Sequence, residues 1–127
     1  MNNTISYPYF GGLGDVPYLT TGLLDNPLVE GVRQSSTLSV NISNDDTSTV
    51  AIQIEGFFHS GTSKVKYVEE FFTLTAGTVS LKNYFVPFNA FEFVFFVSSQ
   101  DVEVSVWSKD ATGNLTSAHL EEAEASA

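Results

Sequence analysis

From Leu38 to Val106 the apolar residues recur mostly at every second position, the period of a strand whose side chains alternate between two faces. Leu38, Val40 and Ile42 alternate with Ser39, Asn41 and Ser43, which predicts a half-buried strand. Asn44-Asp45-Asp46 is a turn signal, because these short side chains bond back to the backbone. Val50, Ile52 and Ile54 alternate with Ala51, Gln53 and Glu55, and this strand runs on into Gly56-Phe57-Phe58 before the Ser60-Gly61-Thr62-Ser63 turn. Lys64 to Leu74 is the next strand, but its phase slips. Val65 and Tyr67 fall on one face and Phe72 and Leu74 on the other, so a bulge is expected near Glu69-Glu70. After Ala76-Gly77, Thr78 to Val86 forms a strand with Val79 and Leu81 on one face, and Pro87 ends it because it cannot donate to a ladder. Ser98 to Asp101 turns the chain into Val102, Val104 and Val106, alternating with Glu103, Ser105 and Trp107. A loop from Lys109 to Asn114 leads to a last strand, Leu115 to Leu120.

Phe91 to Val97 departs from the half-buried pattern. Phe91, Phe93, Phe95 and Val97 share one face, while Glu92, Val94 and Phe96 share the other, so the second face is also largely apolar. Such a strand is expected to be covered on both sides, by its own sheet partners or by another chain. With no amphipathic helix of useful length, the pattern predicts an all-β fold. It is expected to be a jelly-roll-like antiparallel sandwich over residues 35–122, followed by an acidic tail at 123–127.

Residues 1–34 read differently. The stretch to Ser36 holds three of the four prolines and five of the nine glycines, a bias toward extended or irregular backbone. It is nevertheless rich in apolar anchors, of which Tyr7, Tyr9, Phe10, Leu13, Val16, Tyr18 and Leu19 are the candidate docking residues. The expectation is an N-terminal arm. About 30 extended residues span on the order of 100 Å, enough to pair with a neighbour's exposed sheet edge. A forward-reaching arm makes a heterologous contact, which builds a ring or filament. The other possibility is an arm folded back on its own domain. The candidate acceptor is the second face of the Phe91–Val97 strand, at Val94 and Phe96.

Fifteen acidic against five basic residues give a net charge of −10, which repels phosphate backbones and argues against nucleic acid as a partner. The absence of cysteine removes disulfides, thiolate metal sites and cysteine nucleophiles. Met1 to Pro8 lack the charged and apolar regions of a secretory signal, which implies synthesis in the cytoplasm without export by the general route. No run approaches the ~18 apolar residues of a membrane helix.

Candidate chemistry is sparse, so no enzyme, cofactor or metal is expected. His59 and His119 read as solvated histidines, and Asp45, Asp46 and Asp110 as turn residues outside any regular calcium-loop series. Glu69 and Glu70 are strand neighbours pointing to opposite faces, so they cannot act together on one substrate. Gly11-Gly12-Leu13-Gly14 lacks the strand, helix and lysine of a phosphate cradle. Trp107 can stack on a sugar, although packing is the commoner fate of a lone tryptophan.

Residues 102–119 carry a resemblance. A valine-alternating strand followed by Lys109-Asp110-Ala111, Gly113-Asn114-Leu115 and Ala118-His119 resembles the ending of small β-sandwich proteins of spore-forming Firmicutes. The whole plan, a connector before a compact sandwich, is similar to bacterial endospore appendage subunits. That resemblance implies a homopolymeric fibre at the spore surface, with the connector entering neighbouring subunits and a spore-surface protein as a possible anchor. The best-known appendage subunits cross-link through cysteines, so a fibre of this chain would be held by strand pairing and apolar burial alone. The same plan fits a viral or capsid-like shell protein, and a carbohydrate-binding sandwich is a further alternative.

Overall fold

The computed structural model describes residues 16–125, which fold as two antiparallel sheets packed face to face. The first sheet has the order β12-β1-β9-β6-β7, with β2 also paired to β9. It comprises β1 (Val16–Thr20), β2 (Leu24–Asp25), β6 (Val50–Ser60), β7 (Ser63–Leu74), β9 (Ala90–Val97) and β12 (Glu121–Ala125). The second sheet has the order β11-β10-β5-β8, built from β5 (Thr37–Asn44), β8 (Val79–Phe85), β10 (Val102–Lys109) and β11 (Leu115–Ala118). A short hairpin, β3 (Leu28–Val29) and β4 (Val32–Arg33), turns through Glu30 and Gly31, both at positive φ (53° and 80°). Each strand expected from period-two alternation is present. The stretch assigned to an acidic tail, with no strand expected, begins with one: Glu121–Ala125 is in register with β1.

The core is the set of inward positions that the alternation marks. Leu38, Val40 and Ile42 from β5 and Val106 from β10 face Ile52 and Ile54 from β6 and Phe91, Phe93 and Phe95 from β9, all at most 2% exposed. Phe93 sits opposite Gly56 in the β6–β9 register. A Cβ at residue 56 would lie 2.6 Å from the Phe93 ring and 3.0 Å from Val68 Cβ, so only glycine leaves room for that ring. The β6–β7 register shifts at the same place. Gly56 pairs with Val68 and Phe57 with Lys66, leaving Tyr67 as the extra residue of a bulge. The bulge that the phase slip demands therefore lies at Tyr67, before the expected Glu69-Glu70, and it returns both Tyr67 and Phe72 to the interior side.

β1 and β2 are two halves of one strand running beside β9. Leu19 pairs with Phe95 and Thr20 with Val94, but Leu24 pairs with Phe91, so one residue is extra between them. Thr21 bridges the break. Its N–H donates to Phe93 O, and its Oγ1 accepts from Phe93 N, both at 3.0 Å, while Gly22 at φ 65° turns the chain. Residues 16–33, assigned to the arm on composition, thus pair within this chain. Proline and glycine there mark interruptions in a sheet strand and a tight hairpin.

Two fully buried asparagines pin the chain where strands end. Asn26 Nδ2 donates to Ser35 O and Val86 O at 2.9 and 3.0 Å, and its Oδ1 accepts from Ser35 N at 2.9 Å. Asn44 does the same at the end of β5, donating to Ser48 O and Leu74 O and accepting from Asp46 N, each at 2.9 Å. Such groups are stable in an apolar interior only because each polar atom has a partner.

Two stability outcomes follow, both measurable by denaturant titration. Gly56→Ala should destabilise the fold by about 1–3 kcal/mol through overpacking against Phe93. Asn26→Ala should cost at least about 2 kcal/mol, because it strands the Ser35 N–H and two carbonyls away from water.

Candidate interaction surfaces

The side chains able to do chemistry are dispersed. Among the described residues no group of three or more His, Cys, Asp or Glu is placed to hold a metal ion. His59 and His119 are both exposed, one at the end of β6 and the other between β11 and β12. Asp46 accepts from Ser99 Oγ at 2.6 Å and Ser48 N at 3.1 Å, and the Ser99 bond is the main reason its carboxyl sits below the usual carboxylate range. Asp110 accepts from Thr112 Oγ1, Thr112 N and Asn114 N at 2.8–3.0 Å, which lowers its pKa in the same way. Both aspartates are turn residues whose acceptors are engaged.

A cleft of about 430 Å³ lies between the β3–β4 hairpin and the Asp110 loop, lined by Pro27, Val29, Val32, Arg33, Asp110 and Thr112 among others. Its charged groups point to local structure. Arg33 Nη1 donates to Asn26 O at 2.7 Å and Asn89 Oδ1 at 2.8 Å, while Asp110 holds its own turn.

The candidate acceptor residues lie on the outward side of β9. Val94 is buried at 7% exposure and Phe96 is half-buried. The Tyr18 ring, on β1 of the same chain, lies 5.2 Å from that of Phe96. Leu19 packs against the core from the same strand. Part of the cover expected from a neighbour is therefore supplied within the chain. Tyr7, Tyr9, Phe10 and Leu13 lie outside the described residues, and Val16 is placed only as the first residue of β1. Glu92 shares the outward side of β9. It accepts from Thr20 Oγ1 at 2.7 Å and pairs with Lys64 Nζ at 2.8 Å, and Lys64 also stands 4.6 Å over the Phe57 ring.

The four sheet edges differ sharply. β12 carries three glutamates in five residues, and β7 carries Lys64, Lys66, Glu69 and Glu70. Charge on an edge strand discourages further pairing. β8 has the opposite character. Its inward positions are Ser80, Lys82 and Tyr84, whereas Val79, Leu81 and Phe85 point outward at 59%, 69% and 67% exposure. The β5–β8 register, Val40 opposite Lys82 and Leu38 opposite Tyr84, fixes this inversion, since a one-residue slip would exchange the faces.

The inward polar groups of β8 are matched from β7 across the open side of the sandwich. Glu70 accepts from Tyr84 Oη and lies 3.8 Å from Lys82 Nζ, and Lys82 stands 4.6 Å over the Phe72 ring. Tyr67 Oη donates to Phe85 O at 2.8 Å, and burial pushes its phenol up to about 12. Burial, with Glu70 beside it, likewise raises Tyr84. Sequence reasoning placed Val79 and Leu81 on one face without assigning that face to solvent. The available signal was the polar set Ser80, Lys82 and Tyr84 opposite them.

Comparison with protein-family models, curated proteins and solved structures finds no match for this chain.

Glu92 makes stability depend on pH. Burial pushes its pKa up, but the hydrogen bonds from Lys64 and Thr20 outweigh this and hold it below the usual value. A depressed folded-state pKa contributes stability above the unfolded value, about 4.3 for Glu, and loses it as pH falls through the folded value. Denaturant midpoints measured down the acid range should drop below that pH. Glu92→Gln should lower the midpoint at neutral pH and flatten this part of the profile.

Proposed function

We propose that this chain is a structural subunit that polymerises with copies of itself, a jelly-roll-like sandwich whose N-terminal arm docks on the next copy. The observation that carries this reading is the inverted edge strand β8, with Val79, Leu81 and Phe85 exposed at a sheet edge that no other described strand pairs with. Exposed contiguous apolar surface marks association sites, and this edge alone of the four lacks outward charge along its length or a shorter span.

The arm in this reading is the segment before β1. It brings Tyr7, Tyr9, Phe10 and Leu13, and its one charged residue is Asp15. The acceptor is β8, because Val94 is already buried and Phe96 already meets Tyr18. Burying three large side chains of β8 at about 1.5–3 kcal/mol each offsets the cost of ordering the arm, with no cysteine available to add covalent links. The resemblance of the whole plan to endospore appendage subunits, with residues 102–119 similar to the ending of small β-sandwich proteins of spore-forming Firmicutes, favours an open fibre at the spore surface, attached there by an anchoring protein.

The test is negative-stain microscopy with size-exclusion chromatography on the full chain, on a form lacking residues 1–15, and on Leu81→Lys. The deletion stops before Val16 because that residue begins β1. The full chain should form extended polymers, more readily as added salt screens the repulsion between acidic copies. Both variants should stay dispersed while keeping their β circular dichroism. A full chain that remains monomeric at high concentration overturns the reading. Polymers from the shortened form overturn the arm's role, and closed particles would point to a shell protein.

A further inference from the structure

On the outward face of the four-stranded sheet, the Trp107 ring is set among small polar side chains, apart from the apolar strip of Val79, Leu81 and Phe85 on β8. Trp107 on β10 stands between Ser39 on β5 and Ser117 on β11. Both cross-strand neighbours are small, so no bulky side chain stands directly beside the ring across the sheet. Trp107 is half-buried, and its indole N–H donates to no acceptor among the described residues. A tryptophan kept for packing usually finds a partner for that group.

Around it the register places Asn41 and Ser105 opposite each other, and Asn83 beside Ser39, whose Oγ donates to Asn83 Oδ1 at 2.6 Å. The charges on β10's outward side are Glu103 and Lys109, near its two ends. The middle of this face is thus neutral in a chain of net charge −10. Charge complementarity selects an uncharged occupant, and the density of hydroxyls and amides selects one that both donates and accepts hydrogen bonds. Four strands spaced about 4.8 Å apart give a flat surface about 15 Å wide, suited to an extended chain of rings.

We propose that this face, centred on Trp107, binds an unbranched, uncharged glycan. One pyranose ring would stack its C–H face on the indole, and its neighbours would hydrogen-bond with Ser39, Asn41, Asn83 and Ser105. Trp107 lies two strands in from β8, with β5 between; of the residues named only Asn83 is on β8, and the proposal does not rest on the assembly reading.

Trp107 is the sole tryptophan, so intrinsic emission reports on this site alone. The full chain is titrated with soluble cellohexaose and, separately, chitohexaose, and its retention on insoluble cellulose and chitin is measured. A saturable emission change with at least one oligosaccharide is expected, and the pair tells glucose from N-acetylglucosamine backbones. Trp107→Ala should abolish retention. Ser105→Glu, an exposed change that touches no core residue, should weaken it by roughly tenfold, and it decides the matter should the first variant misfold. No emission change and no retention with either sugar overturns the proposal. So does retention that survives both substitutions, or an emission change that follows protein concentration without glycan, which would mark a contact between copies.

Discussion

Phe93 reaches into the space between the sheets because residue 56, its partner on β6, has no side chain. Around that single gap the interior is arranged. The Phe93 ring meets Tyr84 at 5.1 Å, Tyr67 at 6.0 Å and Phe91 at 6.2 Å, so one ring touches contributors from β7, β8 and β9. Phe58 and Phe88 stack at 4.4 Å and extend the cluster toward the Tyr67 bulge. The backbone of Phe93 is held as tightly, since its N–H and C=O both bond to Thr21, where β1 breaks into β2. The bulge, the broken strand and the aromatic cluster are three local responses to one packing constraint.

That constraint also explains why the open side between β7 and β8 is polar within. With aromatic rings filling the centre, the margin is closed by Glu70, Lys82 and the two tyrosine hydroxyls. Those groups would be poorly placed on a solvent face, where each would be only a weak surface pair. Half-buried, they orient β8 by holding its polar side inward. Val79, Leu81 and Phe85 are turned outward as a consequence, so the apolar edge follows from the way the core is closed. This joins packing to function: the strand available to a neighbour is the one whose polar groups the interior has already used.

The two outward sheet faces are correspondingly unlike. On the six-stranded sheet, Phe96 and Val94 are sheltered and Glu92 is tied to Lys64 and Thr20. On the four-stranded sheet, serine, threonine and asparagine cover β5 and β10 around one indole, with an apolar strip at one margin. An acidic chain that leaves the middle of one face neutral, with Glu103 and Lys109 toward the ends of β10, keeps charge away from the surface around Trp107.

Residue order by itself determined the strands. Period two in β5, β6, β9 and β10 is imposed by one buried face, so Leu38, Val40, Ile42, Ile52, Ile54, Phe91, Phe93 and Phe95 were legible as core from spacing alone. The phase slip in β7 likewise demanded a bulge, but its position at Tyr67 depended on the β6 residue opposite, a pairing that no local pattern encodes. Residues 16–25 read as arm because Pro17 and Gly22 interrupt them. Only the tertiary structure showed Thr21 carrying the ladder across the break. The acidic tail gave no strand signal, since glutamate and alanine have low strand propensity, and its place beside β1 comes from an edge with vacant hydrogen-bonding groups. For the candidate surfaces, the sequence showed which residues of β8 share a side. Which side met solvent was decided by register with β5 and by the Glu70 contacts, because alternation fixes relative faces and only packing assigns one of them to the interior.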